Sequence, residues 1–202
     1  MQVPREIRPR FADAAAVSFV GWAVTGWILA LSPLYLADQL HVRGPATSGA
    51  IAAVFFVASG FAQLTVRRWR DSTVISASLA LEVVGMSVVL LSAPSRSVAV
   101  LFVAVILAGW GQGGILVTAM SIVLADATPS ARGGITSSLY VVNYVGFGVP
   151  VLACGLAAEN LGLVAATVLF VGFIAVGSAI AVLHARTSDA QRGRQPATRT
   201  AA

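Results

Sequence analysis

Residues 107–155 read LAGWGQGGILVTAMSIVLADATPSARGGITSSLYVVNYVGFGVPVLACG, and this stretch decides the fold. It holds two long apolar segments joined by a short polar turn, TPSAR, at residues 128–132. As helices rising about 1.5 Å per residue, segments of this length can cross a hydrocarbon core of about 30 Å. The stretch therefore predicts two neighbouring transmembrane helices, and the rest of the chain is expected to complete their bundle.

The composition of the whole chain points to the same class of protein. The 202 residues are 57% hydrophobic and 10% charged, and the mean hydropathy is +0.86. A soluble domain has about 25% charged residues, so this chain is too apolar for that class and is expected to lie in a lipid bilayer. We predict an all-α membrane protein built as a six-transmembrane-helix bundle.

Six apolar segments are long enough to be membrane spans. They cover residues 14–36, 46–66, 73–92, 98–124, 135–157 and 163–183. The predicted organisation is a cytoplasmic N-terminal segment, 1–13, a six-helix transmembrane domain, 14–184, and a disordered cytoplasmic tail, 185–202. A cleaved signal peptide is the alternative for the first segment, but the run is too long for a signal-peptide core and lacks a small-x-small cleavage site.

The distribution of basic residues predicts the orientation. The net charge of +5 rests on 13 arginines and no lysine. With a cytoplasmic N-terminus, every arginine except Arg43 and Arg96 lies in a cytoplasmic segment. This asymmetry follows the positive-inside rule and predicts a multi-pass protein of the cell membrane with both termini in the cytoplasm. Most of the arginines lie in short loops and tails and do not form a patch with interleaved aromatic residues, so we expect contact with anionic lipid and not with nucleic acid.

The sequence contains little that could carry covalent chemistry. The single cysteine, Cys154, lies in an apolar run, and His41 and His184 lie at opposite ends of the apolar part of the chain. No metal cluster, disulfide framework or cofactor is therefore expected. A GxSxG motif, a mid-span histidine and paired aspartates are all missing from the sequence, so an enzyme is not expected.

Polar and aromatic side chains recur on one face of the first, fourth and fifth spans. The candidates for a solute path are Trp22, Thr25, Gln112, Tyr140, Asn143 and Tyr144. An amide or a phenol on an internal face can hydrogen-bond a solute that has left water, and aromatic rings add apolar contact area. The same groups also form interhelical hydrogen bonds that only hold a bundle together. Both roles are left open at this point.

Small residues in the fourth and fifth spans predict close packing or movement. Gly109 and Gly113 form a GxxxG pair, which is typical of close helix contact. Gly146, Gly148 and Pro150 would loosen or kink the fifth span, a feature of gating helices and of static packing alike.

Glu82 lies near the middle of the third span. A carboxylate at this depth costs about 2.5 to 3.5 kcal/mol on insertion scales, so the group should be neutral, paired or facing water. Two roles follow from this position. One is proton coupling, and the other is a structural hydrogen bond, for example to a serine of a neighbouring helix.

Three motifs together resemble a known family. They are AQLTVRRWRDS at residues 62–72, LAGWGQGG at residues 107–114 and DATPSARGGITSSLYVVNYVGFGVPVLACG at residues 126–155. With six spans and both ends on one side, the chain resembles the C-terminal half of a bacterial major facilitator superfamily transporter over residues 11–184.

The resemblance implies transport of a small solute by alternating access. In such a half the first and fourth spans line the central cavity, the second and fifth meet the opposite half, and the third and sixth lie outside. The opposite half would be a second copy of the chain or a separate N-terminal half. The basic turn departs from the family's Gly-x-x-x-Asp-Arg-x-Gly-Arg-Arg loop, because Leu64 and Thr65 replace the Asp-Arg pair and Arg67 replaces the second glycine.

A second functional class stays open beside transport. The chain could be a non-transporting membrane accessory protein or a truncated transporter fragment, since six helices enclose a path only when they pair with another half.

Overall fold

The structure is a computed structural model that describes residues 7–125 and 127–192, without the side chains of residue 67 and residues 185–192. This part of the chain forms seven α-helices and no strand. The helices are α1 (Arg8–Ala30), α2 (Ser32–Gln39), α3 (Pro45–Thr65), α4 (Asp71–Ser95), α5 (Val98–Ala125), α6 (Pro129–Leu161) and α7 (Leu163–Arg192), and a 3-10 turn, Val66–Arg68, follows α3. All except α2 are long and apolar enough to cross a membrane. The prediction of an all-α bundle of six membrane spans is confirmed.

Proline and glycine set several helix boundaries. The N-terminal residues of α3 and α6 are Pro45 and Pro129, at positions where the missing proline N–H removes no helical hydrogen bond. α6 ends before Gly162, which has a φ of 82°, a positive value that glycine adopts without steric strain. The chain can therefore reverse at a single residue, and α7 begins directly at Leu163.

The first span is broken near its end. The sequence predicts one helix over 14–36, whereas α1 ends at Ala30 and α2 begins at Ser32. Pro33 lies in the first turn of α2, and its ring has no N–H to donate to the carbonyl four residues earlier. The short α2 is held in place by Tyr35, whose hydroxyl donates to the Val89 carbonyl at 2.9 Å.

α1 and α5 form the centre of the bundle. In their most apolar windows 67% of α1 and 56% of α5 is buried, against 28% in both α3 and α6. α5 packs mainly against α4 and α3, and α1 packs mainly against α6 and α5. Large side chains that fill the core include Trp27, Phe55 and Met86, all fully buried. Most side chains of α3 and α6 therefore face outward, away from these two central helices.

The two ends of the helical domain lie together. The Asp13 carboxylate in α1 is 3.8 Å from the His184 imidazole in α7. Residues 8–13 belong to α1, and residues 185–192 continue α7 as helix where the sequence predicts disorder. Alanine, arginine and glutamine favour this extension. Residues 1–6 of the predicted N-terminal segment and 193–202 of the predicted tail lie outside the described residues.

Candidate functional site

Gln112 joins three helices at the centre of the bundle. Its side chain lies on α5 and is 3% exposed. In the amide orientation that satisfies its neighbours, Nε2 donates to Glu82 Oε1 at 3.2 Å and to the Gly21 carbonyl at 3.1 Å, and Oε1 accepts from Thr25 Oγ1 at 3.2 Å. The Thr25 hydroxyl also lies 3.2 Å from the Gly21 carbonyl. Because it has a single proton, it donates at any one time either to this carbonyl or to Gln112 Oε1. We call Gly21, Thr25, Glu82 and Gln112 the central polar cluster.

Two glycines make room for the central polar cluster. A Cβ at Gly21 would lie 2.5 Å from the Gln112 amide and 3.1 Å from Glu82 Oε1. A Cβ at Gly111 would lie 2.5 Å from the Ser78 carbonyl and 2.8 Å from Glu82 Cγ. A larger residue at Gly111 would meet backbone and push α4 away from α5, whereas one at Gly21 would displace the side chains of Gln112 and Glu82.

Glu82 is completely enclosed. Its residue is 0% exposed, Oε1 accepts from Gln112, and Oε2 has no hydrogen-bond partner among the described residues. The described part of the chain also provides no arginine or histidine within ion-pair distance of this carboxyl group. The sequence suggested a serine of a neighbouring helix as a partner for Glu82. The structure has a hydrogen bond from a neighbouring helix, but its donor is the amide of Gln112 and not a serine.

Asn143 forms a second buried contact between helices. It lies on α6 and is 0% exposed. In its satisfied orientation, Nδ2 donates to Ser18 Oγ at 2.6 Å and to the Leu139 carbonyl at 3.2 Å, and Oδ1 accepts from Trp22 Nε1 at 3.1 Å. Ser18 and Trp22 are one helical turn apart on α1, so this single amide connects α6 to two adjacent side chains of the central helix.

An aromatic group borders Asn143 on the outer side of the bundle. The ring centroid of Trp22 lies 6.4 Å from that of Tyr144 and 6.5 Å from that of Phe147, and Tyr140 lies 6.5 Å from Tyr144. Tyr140 is 40% and Tyr144 is 67% exposed. Neither phenol has a hydrogen-bond partner within the described residues. We call Trp22, Tyr140, Tyr144 and Phe147 the aromatic face.

The chain was compared with known families and proteins. Its sequence matches the model of the Major Facilitator Superfamily over residues 14–201. The chain belongs to the Major Facilitator Superfamily. No individual curated protein matches it. Because this superfamily is made of transporters, the match supports a transport function and a multi-pass location in a membrane.

The structure separates the path candidates of this superfamily protein into two groups. Thr25 and Gln112 belong to the central polar cluster, whereas Trp22, Tyr140 and Tyr144 surround Asn143 at the aromatic face. Gly21 was not singled out from the sequence, although it lies one helical turn before Thr25 on the same face. A signal was available there, since a glycine one turn from a polar residue is typical of close interhelical contact.

The glycine candidates differ in what they contact. A Cβ at Gly109 would lie 2.5 Å from the Phe55 carbonyl, and one at Gly113 would overlap the Ser59 carbonyl, so both glycines face α3. A Cβ at Gly146 would lie 2.6 Å from the Phe19 carbonyl of α1. Gly148 has open space around it, with no heavy atom within 4 Å of a built Cβ.

Pro150 does not interrupt α6, which remains helical through it. Pro150 and Cys154 line an apolar cavity of about 400 Å³ between α6 and α7. Within residues 7–125 and 127–192, no three His, Cys, Asp or Glu side chains are grouped so that they could hold a metal ion.

The Asn143 contact predicts a measurable loss of stability. In Asn143→Ala the indole of Trp22 and the hydroxyl of Ser18 lose their buried partner, so we expect the free energy of unfolding to fall by about 1 to 2 kcal/mol. The matched control is Asn160→Ala, because Asn160 lies on the same helix, is exposed and donates only to the Leu156 carbonyl. Unfolding in mixed micelles measures both variants, and equal losses would contradict the structural role of Asn143.

Proposed function

We propose that this superfamily protein moves a small solute across the membrane by alternating access. The observation that carries the proposal is the pair of phenol groups at Tyr140 and Tyr144. They are exposed and without a hydrogen-bond partner in the described structure, and Tyr144 lies near the middle of the 33-residue helix α6. Tyrosine in membrane proteins usually lies at the lipid–water interface, so this mid-span position favours contact with a solute or with water.

The chemistry of the aromatic face favours an uncharged amphiphile as the solute. Its rings offer apolar area, and its phenols offer hydrogen bonds to a solute that has lost its hydration shell. Trp22, Tyr140, Tyr144 and Phe147 carry no formal charge, and the neighbouring side chain is the neutral amide of Asn143. A strongly charged solute would find no counter-ion on this face.

A second six-helix half would complete the path. Among the six spans of the described structure, α3 and α6 are the least buried, with 28% of the most apolar part of each helix inside the bundle. The phenols of α6 would also find no hydrogen-bond partner in lipid tails. We propose that these two helices meet an opposite half, which is either a second copy of this chain or a separate N-terminal half. Alternating access would then be a rocking of the two halves around the aromatic face.

We propose a cell-membrane location with both termini in the cytoplasm. The arginine distribution supports this orientation, and the contact between Asp13 and His184 supports the placement of both ends on one side.

Glu82 is proposed as the proton-carrying group. Its unpartnered Oε2 and its link through Gln112 to the backbone of α1 support a role in which gain or loss of a proton changes how α1, α4 and α5 pack. No covalent chemistry and no cofactor form part of this proposal.

Tyr144 provides the test of the proposed function. A panel of uncharged aromatic amphiphiles is first screened for compounds that raise the thermal unfolding temperature, and the uptake of each such compound into proteoliposomes is then measured. We expect Tyr144→Ala to lower uptake about tenfold, equivalent to about 1.4 kcal/mol, because the solute loses both a ring and a hydroxyl. The unfolding temperature should stay unchanged, since the side chain is 67% exposed.

Leu152→Ala is the matched control, because Leu152 is 65% exposed on the same helix. Equal uptake by the wild-type chain and Tyr144→Ala would contradict the proposal. If neither the chain alone nor the chain co-expressed with a separate N-terminal half shows any uptake or any ligand-induced stabilisation, the non-transporting accessory protein or fragment becomes the better account.

A further inference from the structure

The turn between α3 and α4 concentrates positive charge at one end of the bundle. Residues 66–72, VRRWRDS, contain three arginines and one aspartate. The 3-10 turn ends at Arg68, Trp69 has extended backbone with φ −101° and ψ 159°, and α4 begins at Asp71. Arg68, Trp69 and Arg70 are exposed. The turn therefore presents an indole ring between two guanidinium groups.

An apolar groove begins beneath this turn. It has a volume of about 270 Å³ and is bordered near the turn by Thr65, Val66 and Trp69. Further along it is lined by Val74, Ala77, Ser78 and Leu81 of α4 and by Trp110 of α5. Along α4, the distance from Arg70 to Leu81 is about 16 Å at 1.5 Å per residue, which is close to the depth of one leaflet of a hydrocarbon core of about 30 Å. We call this the α4 groove.

Among the described residues, Arg68 and Arg70 at the mouth of the α4 groove have no ion-pair partner. Neither side chain makes a hydrogen bond with another described residue. Asp71 is exposed in the first turn of α4 and offsets only one of the three arginine charges. Guanidinium groups match phosphate oxygens in geometry as well as in charge, and tryptophan prefers the level of the lipid headgroups.

We propose that an anionic phospholipid binds here, with its headgroup phosphate at Arg68 and Arg70 and one acyl chain in the α4 groove. Charge and shape select the same ligand, because only a lipid joins an anionic group to a chain that reaches about one leaflet deep. A net negative headgroup is favoured over a zwitterionic one, since the turn carries more positive than negative charge. This inference goes beyond the proposed transport and does not depend on it.

Brominated lipids test the proposal through tryptophan fluorescence, because bromine on an acyl chain quenches a nearby indole. The full chain is reconstituted in phosphatidylcholine nanodiscs that contain increasing fractions of phosphatidylglycerol with dibrominated acyl chains. We expect half-maximal quenching at a several-fold lower fraction than with dibrominated phosphatidylcholine. Trp110→Phe should remove a large part of this quenching, since Trp110 lines the α4 groove.

Paired arginine variants show whether this turn is responsible. The double variant Arg68→Gln and Arg70→Gln should need a higher lipid fraction to reach half-maximal quenching. We expect an increase of about fivefold for each arginine removed, because one basic residue near a membrane surface contributes about 1 kcal/mol of binding free energy. The control is Arg43→Gln with Arg96→Gln, which removes the same charge from exposed residues at the opposite end of the bundle and should change nothing. Equal quenching by the two lipids, or equal effects of the two double variants, would overturn the proposal.

Discussion

Gly113→Val is expected to leave little folded protein. A Cβ at this position would overlap the backbone carbonyl of Ser59 and lie 2.8 Å from the Ala62 Cβ. A backbone carbonyl cannot rotate away as a flexible side chain can, so α5 and α3 would have to separate over several turns. Overpacking costs about 1 to 3 kcal/mol in well-packed cores, and a clash with backbone belongs at or above the upper end of that range. Thermal unfolding of the detergent-purified variant measures the loss.

Gly148→Val is the control for this prediction. Gly148 also lies inside a membrane-spanning helix, but a Cβ there has no heavy atom within 4 Å. We expect its unfolding free energy to change by less than about 0.5 kcal/mol. If both variants lost the same stability, the effect would come from valine in a helix and not from the contact between α5 and α3.

Glu82→Ala is expected to cost about 2 to 4 kcal/mol, while Glu82→Gln costs less than about 1 kcal/mol. Alanine leaves a buried Gln112 N–H without its acceptor and opens a cavity between α4 and α5. Glutamine keeps the shape, and its side-chain oxygen can still accept from Gln112. Oε2 has no hydrogen-bond partner in the described structure. The amide N–H₂ that replaces it therefore breaks no existing hydrogen bond and meets no opposing donor. Unfolding free energies of the two variants test this difference.

The glutamine variant also separates the two roles of Glu82. If Glu82 carries a proton during transport, Glu82→Gln folds normally but its solute uptake no longer responds to a pH gradient across the proteoliposome membrane. If the group only holds the helices together, the pH-gradient response of Glu82→Gln matches that of the wild-type chain. Glu159→Gln is the matched control, because Glu159 is an exposed carboxylate near the end of α6 and should change neither quantity.

Part of the candidate site was open to prediction from helical spacing. Trp22 and Thr25, and Tyr140 and Tyr144, share helix faces because residues three or four apart in a helix are neighbours. That spacing could not show that the polar face of α1 is divided between two partners. Ser18 and Trp22 reach Asn143, whereas Thr25 reaches Gln112, and this division depends on where α5 and α6 cross α1.

Properties that reside in single segments were determined by the sequence alone. Hydropathy and length predicted six spans and the all-α class, and the motifs at 107–114 and 126–155 indicated the family. These features are local, because each segment must satisfy its own backbone hydrogen bonds within the bilayer. Even so, the break before Pro33 was predicted as continuous helix, since the length of the apolar run outweighed a single residue.

Only the tertiary structure decided which polar groups meet. From the sequence Glu82 was an isolated carboxylate, and its contact with Gln112 exists because Gly21 and Gly111 let α1 and α4 approach α5 closely. Likewise, Asn143 is 0% exposed and Tyr144 is 67% exposed, although the two residues are adjacent in the chain. Side chains of adjacent helical residues point about 100° apart, and only the packing of α6 against α1 determines which of them faces the interior.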